Sequence, residues 1–188
     1  MIEIKILLKK FYMNDTKQVA KDLLGKTLVR KIGTQVLSGV ITETEAYKGK
    51  NDPASHASRK KTERNKIMFG EVGVAYVYFT YGMHYCFNVV AKKKNDKAGA
   101  VLIRAIQPQQ GINHMIKNRK TDLISNLTNG PGKLTQAMQI TLKQYNHDLT
   151  KKSSLFIIDG EKPNKIIAKP RVGIKIGVDK LWNFSYKI

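Results

Sequence analysis

Acidic residues are scarce in this chain of 188, with 14 Asp and Glu set against 34 Lys and Arg for a net charge of +20. An excess of that size repels itself and is tolerated mainly where an acidic partner gains from it. Nucleic acid is the first such partner and an anionic membrane surface the second. The abundance of Lys, Ile and Asn throughout also fits a general lysine bias. Cysteine is scarcer still. The single Cys86 excludes an internal disulfide and any CxxC metal or redox site, so the chain reads as a protein of a reducing, cytoplasmic compartment. No apolar run approaches the roughly 20 residues of a membrane-spanning helix. The start, Met1-Ile-Glu-Ile-Lys-Ile-Leu-Leu-Lys-Lys, puts its basic residues after the apolar ones, which is not the order of a signal peptide. No repeat and no Gly/Ser/Pro linker divides the chain, so residues 1–188 read as one domain with 1–10 peripheral.

What is present sorts into short elements. Asn14 or Asp15 can cap a helix to about Leu23, with Val19, Leu23 and Leu24 on one face and Gly25 as its stop. Residues 26–32 and 35–44 read as strands joined at Gly33-Thr34. Residues 48–65 are polar, contain Gly49, Asp52 and Pro53, and exceed an ordinary connection in length, which favours a functional loop. A short helix to Phe69 follows. Residues 74–79 and 84–90 form a second strand pair around Thr80-Tyr81-Gly82, and Lys92 to Lys97 is an exposed basic turn. A strand over 100–106 is ended by Pro108. Helices are expected over 111–119 and from about Pro131, and strands over 154–158 and 171–176. The tail Leu181-Trp-Asn-Phe184 should pack on the core. Strands come in adjacent pairs instead of alternating with helices, so the class is α+β with a mostly antiparallel sheet.

Candidate chemistry concentrates between Val40 and Arg104. Glu43 and Glu45 are two apart on a strand and so share a face, which Tyr47 joins if the strand continues. Two carboxylates on one face cost free energy unless each has a partner or a task. An exposed face pairing with lysines accounts for the spacing equally well. His56 lies in the long polar loop, where most histidines are simply solvated. It could join Glu45 or Asp52 around an ion, but no HExxH, Cys pair or acidic cluster supports a metal site. Tyr76 and Tyr78 share a strand face, and core packing is the default for Tyr76. Tyr81, at a hairpin tip, has less core to reach and in a basic protein can wedge between base steps. Asn88 and Arg104 interrupt apolar strands. Pairing with Glu43 or Glu45 is the simplest account of Arg104. Gly130-Pro-Gly-Lys-Leu-Thr is not a phosphate loop, because positions 127 and 134 are both Leu.

Taken in order, Thr42-Glu-Thr-Glu45-Ala-Tyr47, the His56 loop, Arg64-Asn-Lys-Ile-Met-Phe69, Tyr76-Val-Tyr78-Phe-Thr-Tyr81-Gly-Met, Asn88 and Leu102-Ile-Arg104-Ala-Ile-Gln-Pro108 resemble the alkyladenine (3-methyladenine) DNA glycosylase family. Asn129-Gly-Pro-Gly-Lys-Leu-Thr-Gln-Ala and Pro170-Arg-Val-Gly-Ile174 are similar to its later motifs, so the resemblance runs from about Phe11 to Phe184. It implies an α+β domain around a curved antiparallel sheet with flanking helices, and a monomeric, monofunctional base-excision repair enzyme without a cofactor. The implied partner is double-stranded DNA containing damaged purines: 3-methyladenine, 7-methylguanine and hypoxanthine. By the same resemblance Glu45 is the general base on the attacking water, which Arg104 and the backbone carbonyl of Val172 help to hold. Tyr47, His56 and Tyr78 grip the flipped base, Asn88 disfavours the exocyclic amine of normal guanine, and Tyr81 fills the gap in the duplex.

Some segments depart from the family's pattern. After Gly173 its usual Gly-Glu continuation is missing, and the segments 59–61 and 92–97 are unusually basic, whereas the ending Leu181-Trp-Asn-Phe184 resembles the family's Trp-Arg-Phe close. Three rival readings follow from the residues alone. A nuclease would gather Glu43, Glu45 and Asp52 around a divalent ion. A glycosylase-lyase would use a lysine amine. A binding module would only stack its tyrosines on single strands.

Overall fold

In the computed structural model, which describes residues 5–187, one long strand organises the rest. Strand β2 (Gln35–Lys48) takes antiparallel partners on both edges. Strand β5 (Gly99–Gln110) lies along one edge, and β1 (Thr27–Ile32) followed by β8 (Asn183–Ser185) along the other. Beyond β5 the sheet continues through β4 (His84–Val90) to β3 (Ala75–Thr80). Beyond β1 it reaches β6 (Leu155–Ile158), and beyond β8 it reaches β7 (Ile167–Lys169). Every pairing of these strands is antiparallel. Helices α1 (Lys9–Tyr12), α2 (Thr16–Asp22), α3 (Ile112–Arg119) and α4 (Pro131–Ala137) flank the curled sheet, so the α+β class holds.

Local chemistry sets several boundaries. The Asp15 carboxylate accepts from the Lys17 amide at 2.9 Å and caps α2, and Gly25 ends that segment at φ +82°. A side chain at Gly25 would also put its Cβ 1.9 Å from the Glu161 carbonyl. The hairpin at Gly33, the short 3₁₀ turn Lys66–Phe69 and the polar 48–65 loop fall where the sequence places them.

Three expectations need correction. Strand β2 does not stop at Thr44 but runs to Lys48, because β5 and β8 supply partners from distant sequence. Pro108 does not end β5, which continues to Gln110. Beyond Leu102 no β4 residue pairs with β5, so that stretch has a single partner and tolerates a missing amide. Residues 171–176 are not a strand. Gly173 and Gly177 turn the chain at positive φ, and the apolar alternation there is misleading because Val172 and Ile176 are half-exposed. The late strands are instead β7 and β8, and Phe184 of β8 is buried in the core, as the tail was expected to be.

Strand parity then separates core from site. Thr44 and Ala46 of β2, Ala75 and Val77 of β3, Phe87 and Val89 of β4, and Val101 and Ile103 of β5 are all buried; those other than Thr44 belong to the main apolar core, with Leu23, Leu24, Leu28 and Met115. Their neighbours alternate to the opposite face. There they form the site.

Candidate active site

A single rung of the sheet carries much of the site. Tyr76 pairs with Asn88, Asn88 with Leu102, Leu102 with Glu45, and Glu45 with Asn183. Five residues drawn from positions 45 to 183 therefore stand abreast, one strand spacing of about 4.8 Å apart. On neighbouring rungs Tyr78 pairs with Cys86 and Tyr47 with Ala100. Arg104 arrives differently. Glu43 pairs with Ala105 and Thr44 with Ile103, so Arg104 is the extra residue of a β-bulge, a device that re-aims a side chain and bends the sheet. Its Nε lies 3.2 Å from Glu43 Oε1 and 3.6 Å from Glu45 Oε1, the pairing its apolar surroundings demand.

Glu45 is fully buried, and its two oxygens are held differently. Oε1 accepts from the Val172 amide at 2.8 Å and from Asn183 Nδ2 at 2.9 Å. Oε2 accepts from the Tyr47 hydroxyl at 2.7 Å. Three donors and an adjacent guanidinium compensate the charge of a carboxylate that would otherwise be costly to bury. Desolvation, reinforced by the Glu45 charge, pushes the Tyr47 phenol far above its ordinary range, so it stays a donor to Glu45.

A cavity of about 260 Å³ opens over this carboxylate. That is below the roughly 300–1,000 Å³ typical of drug-sized ligand sites and suits something as small as one nucleobase. Glu45, Tyr47, His56, Tyr78, Tyr81, Asn88, Arg104 and Val172 all line it, so the structure brings these eight candidates to one place, while Glu43 and Asp52 stay outside the lining. Tyr76, Cys86 and Leu102 complete the walls. The polar loop delivers His56 edge-on to Tyr78 with ring centroids 4.8 Å apart, and His56 Nδ1 is 3.0 Å from the Tyr76 hydroxyl. Tyr76 is thus buried, as core packing would have it, and also serves the pocket. The Asn88 amide nitrogen donates to the Tyr76 carbonyl at 3.0 Å, which fixes its side chain. Burial drives the phenols of Tyr76, up to about 12, and Tyr78 upward, and the Cys86 thiol likewise.

Although His56 keeps much of its surface exposed, desolvation of its ring, assisted by the Arg64 charge, lowers the imidazole from 6.5 to about 4. The unfolded chain therefore takes up this proton near pH 6.5 while the folded chain resists it down to about 4. In that window the unfolded state holds more protons, so stability rises with pH and is lost on acidification. Thermal melts from pH 7.5 to 4 should accordingly show a steeper fall in Tm for wild type than for His56→Gln. Parallel falls would contradict a neutral His56 in the folded chain.

Tyr81 stands apart from the enclosed residues. It is 83% exposed at the β3–β4 tip, where Tyr81 and Gly82 both have positive φ, the type I′ combination that tightens a hairpin. Val172 meets Glu45 through its amide, whereas the expectation concerned its carbonyl.

Two functional neighbours escaped the sequence reading. Asn183 donates to Glu43 at 2.7 Å as well as to Glu45, and Arg171 grips both oxygens of Asp52 at 2.7 Å. Both residues lie inside motifs singled out above, Pro170-Arg-Val-Gly-Ile174 and Leu181-Trp-Asn-Phe184, but nothing local to either names its partner. With Asp52 committed to Arg171, the three carboxylates of the nuclease reading do not converge. Among the described residues no group of three His, Cys, Asp or Glu is placed to hold a metal ion.

A family model described as Methylpurine-DNA glycosylase (MPG) matches residues 10–187. A protein of Carboxydothermus hydrogenoformans named "putative 3-methyladenine DNA glycosylase" is 48% identical over 184 residues, which cover 97% of this chain and 95% of that one. Proteins of the same name from Prosthecochloris aestuarii and Methanocella arvoryzae are 49% and 45% identical, over 94% and 97% of this chain and 85% and 92% of theirs.

Proposed function

Because the chain belongs to the methylpurine-DNA glycosylase family, we propose that it draws an alkylated purine out of duplex DNA into this cavity and hydrolyses the N-glycosidic bond with a water activated by Glu45. The observation that carries the reading is a fully buried carboxylate at the base of an aromatic, base-sized cavity in a chain of net charge +20. A base in a duplex hides its glycosidic bond, so the nucleotide must leave the stack. The faces and edges of Tyr47, His56 and Tyr78 receive it. The tethered Asn88 occupies space that the exocyclic amine of normal guanine would need.

Alkylation at N3 or N7 leaves a cationic purine, already a good leaving group. The protein then has mainly to place water and stabilise an electron-poor sugar, and the Glu45 carboxylate does both. Arg104 and the Val172 backbone steady that water. The state of the walls fits this division of labour. A neutral His56 and phenols held above their ordinary range are poor proton donors at neutral pH. The cavity therefore favours purines that bring their own positive charge over neutral ones such as hypoxanthine. Lysines and arginines bind phosphates without regard to sequence, which suits a monomer scanning chromosomal DNA. No helix among the described residues is long and apolar enough to cross a membrane.

Tyr81 is the wedge. In this reading its exposed ring fills the gap left by the extruded base, and stacking of this kind is worth about 1–3 kcal/mol. Tyr81→Ala should weaken binding to an abasic-site duplex by roughly 10- to 100-fold at constant salt, with an unchanged melting curve, as fluorescence anisotropy would show. An unaltered affinity would remove Tyr81 from the DNA contact.

The proposed activity is tested by its products. Duplex DNA carrying methylated purines, incubated with the protein in EDTA, should yield free methylated base and an intact strand that breaks only on heating in alkali. A strand nicked without alkali, or trapping of the protein on DNA by borohydride, would point to a nuclease or a lysine-based lyase instead.

A further inference from the structure

Glu43 and Glu45 share a face of β2, and the Oε1 atoms of both are held by the same two side chains, Asn183 and Arg104. Tyr47 on the same strand donates to Glu45; Arg104 on β5 faces both acids; and Lys169 on β7 lies 3.8 Å from Glu43. Cys86 on β4 lines the same cavity, and Arg171 stacks on Tyr47 while spending its charge on Asp52. Between the two acids stands Asn183 of β8, fully buried.

Resting on Glu45 as the base, we propose that Asn183 is a positioning residue for the reaction: its one amide nitrogen spans Glu43 and Glu45 and holds Glu45 aimed at its water. The geometry uses the whole group. Nδ2 carries two hydrogens and is 2.7 Å from Glu43 Oε1 and 2.9 Å from Glu45 Oε1, one donor for each acid. The opposite flip would set the carbonyl oxygen against two negative oxygens, so the charges fix the orientation. This orientation leaves Oδ1 buried without a hydrogen-bond partner among the described residues, a cost that packing alone would not select. Asp would fill the same volume, but it would replace two donors with acceptors and add a third carboxylate.

That contrast supplies the test. Single-turnover base release from a methylated duplex is followed from pH 5 to 9 for wild type, Glu45→Gln, Asn183→Asp and Asn183→Asp/Glu43→Gln, alongside thermal melts and binding to an abasic-site duplex. Asn183→Asp should lose on the order of 10²-fold in rate at pH 7, recover as pH rises because like charges push the acidic limb upward, and bind abasic DNA within about threefold of wild type. Glu43→Gln removes the surplus charge but does not restore the donor to Glu45, so the double variant should regain about tenfold of the rate at pH 7. A rate for Asn183→Asp close to wild type at every pH, or a double variant as slow as the single one, would overturn the proposal. Should Asn183→Asp fail to fold, Asn183→Ser removes the double donor without adding charge. A fall of tenfold or more in rate at unchanged abasic-DNA affinity supports the role, and an unchanged rate overturns it. Full activity in Glu45→Gln would mean instead that the assignment of the base has failed.

Discussion

Replacing Glu45 by Gln should slow base release by on the order of 10³-fold, within the range that a positioned general base contributes. The substitution is close to a pure removal of charge. The glutamine carbonyl can still accept from the Val172 and Asn183 amides, and its NH₂ can meet the Tyr47 hydroxyl, whose oxygen is free to accept. The bonds that hold the side chain therefore survive in number, while the site loses its proton acceptor and the anion beside the developing sugar cation. Single-turnover kinetics with enzyme in excess isolates that step, and affinity for an abasic-site duplex should stay within about threefold of wild type. Loss of rate and affinity together would indicate a rearranged site and leave the role of the charge untested by that variant; Glu45→Asp, which keeps the charge but withdraws it, should then be slowed as well.

Arg171→Met carries the largest expected effect on stability. Asp52 and Arg171 are fully buried and joined by two bonds of 2.7 Å, and the guanidinium also donates to the Ala46 carbonyl at 2.9 Å. It lies between the Tyr47 ring, 4.7 Å away, and the Trp182 ring, 5.2 Å away. Methionine fills the volume but strands the Asp52 charge. Breaking a buried pair in this way costs about 3–5 kcal/mol, and at about 2–4 °C per kcal/mol for a chain of this size Tm should fall by roughly 10 °C. Adding Asp52→Asn should restore much of the loss, because the stranded charge is then gone. Activity should drop along with stability. Asp52 also accepts from the Lys48 amide, so this pair ties the start of the His56 loop to the segment that offers Val172 to Glu45. A melt within about 2 °C of wild type would show that the pair does not hold these segments.

Much of this was legible in the sequence because it is local. Alternation in residues 74–79 and 84–90 gave β3 and β4 within a residue, and Asp15 and Gly25 marked the ends of the first long helix segment. Glu43, Glu45 and Tyr47 share a face, as their spacing requires. What remained hidden depends on distant pairing. Nothing near Lys48 announces that Gly99 will prolong β2 to that point, and nothing near Asn183 announces that its partner is Glu45. Arg104 could be matched to the glutamates by charge, but the bulge that turns it toward them arises only from the register of β2 on β5. The false strand over 171–176 failed for the opposite reason. Its alternation is real, but beyond the buried Arg171 the residues lie on a glycine-punctuated loop that pairs with no strand among the described residues.

The claim on which the rest depends is that Glu45, ionised, activates the water. Its most direct test is the pH dependence of the single-turnover rate on a duplex bearing an N-alkylated purine whose positive charge does not titrate across the acid range, so that the ionisation observed is the enzyme's. The expected result is one acidic limb, falling tenfold per pH unit, that disappears in Glu45→Gln together with most of the rate. A wild-type rate that stays flat into acid, or a Glu45→Gln variant that keeps both rate and limb, would place the base elsewhere.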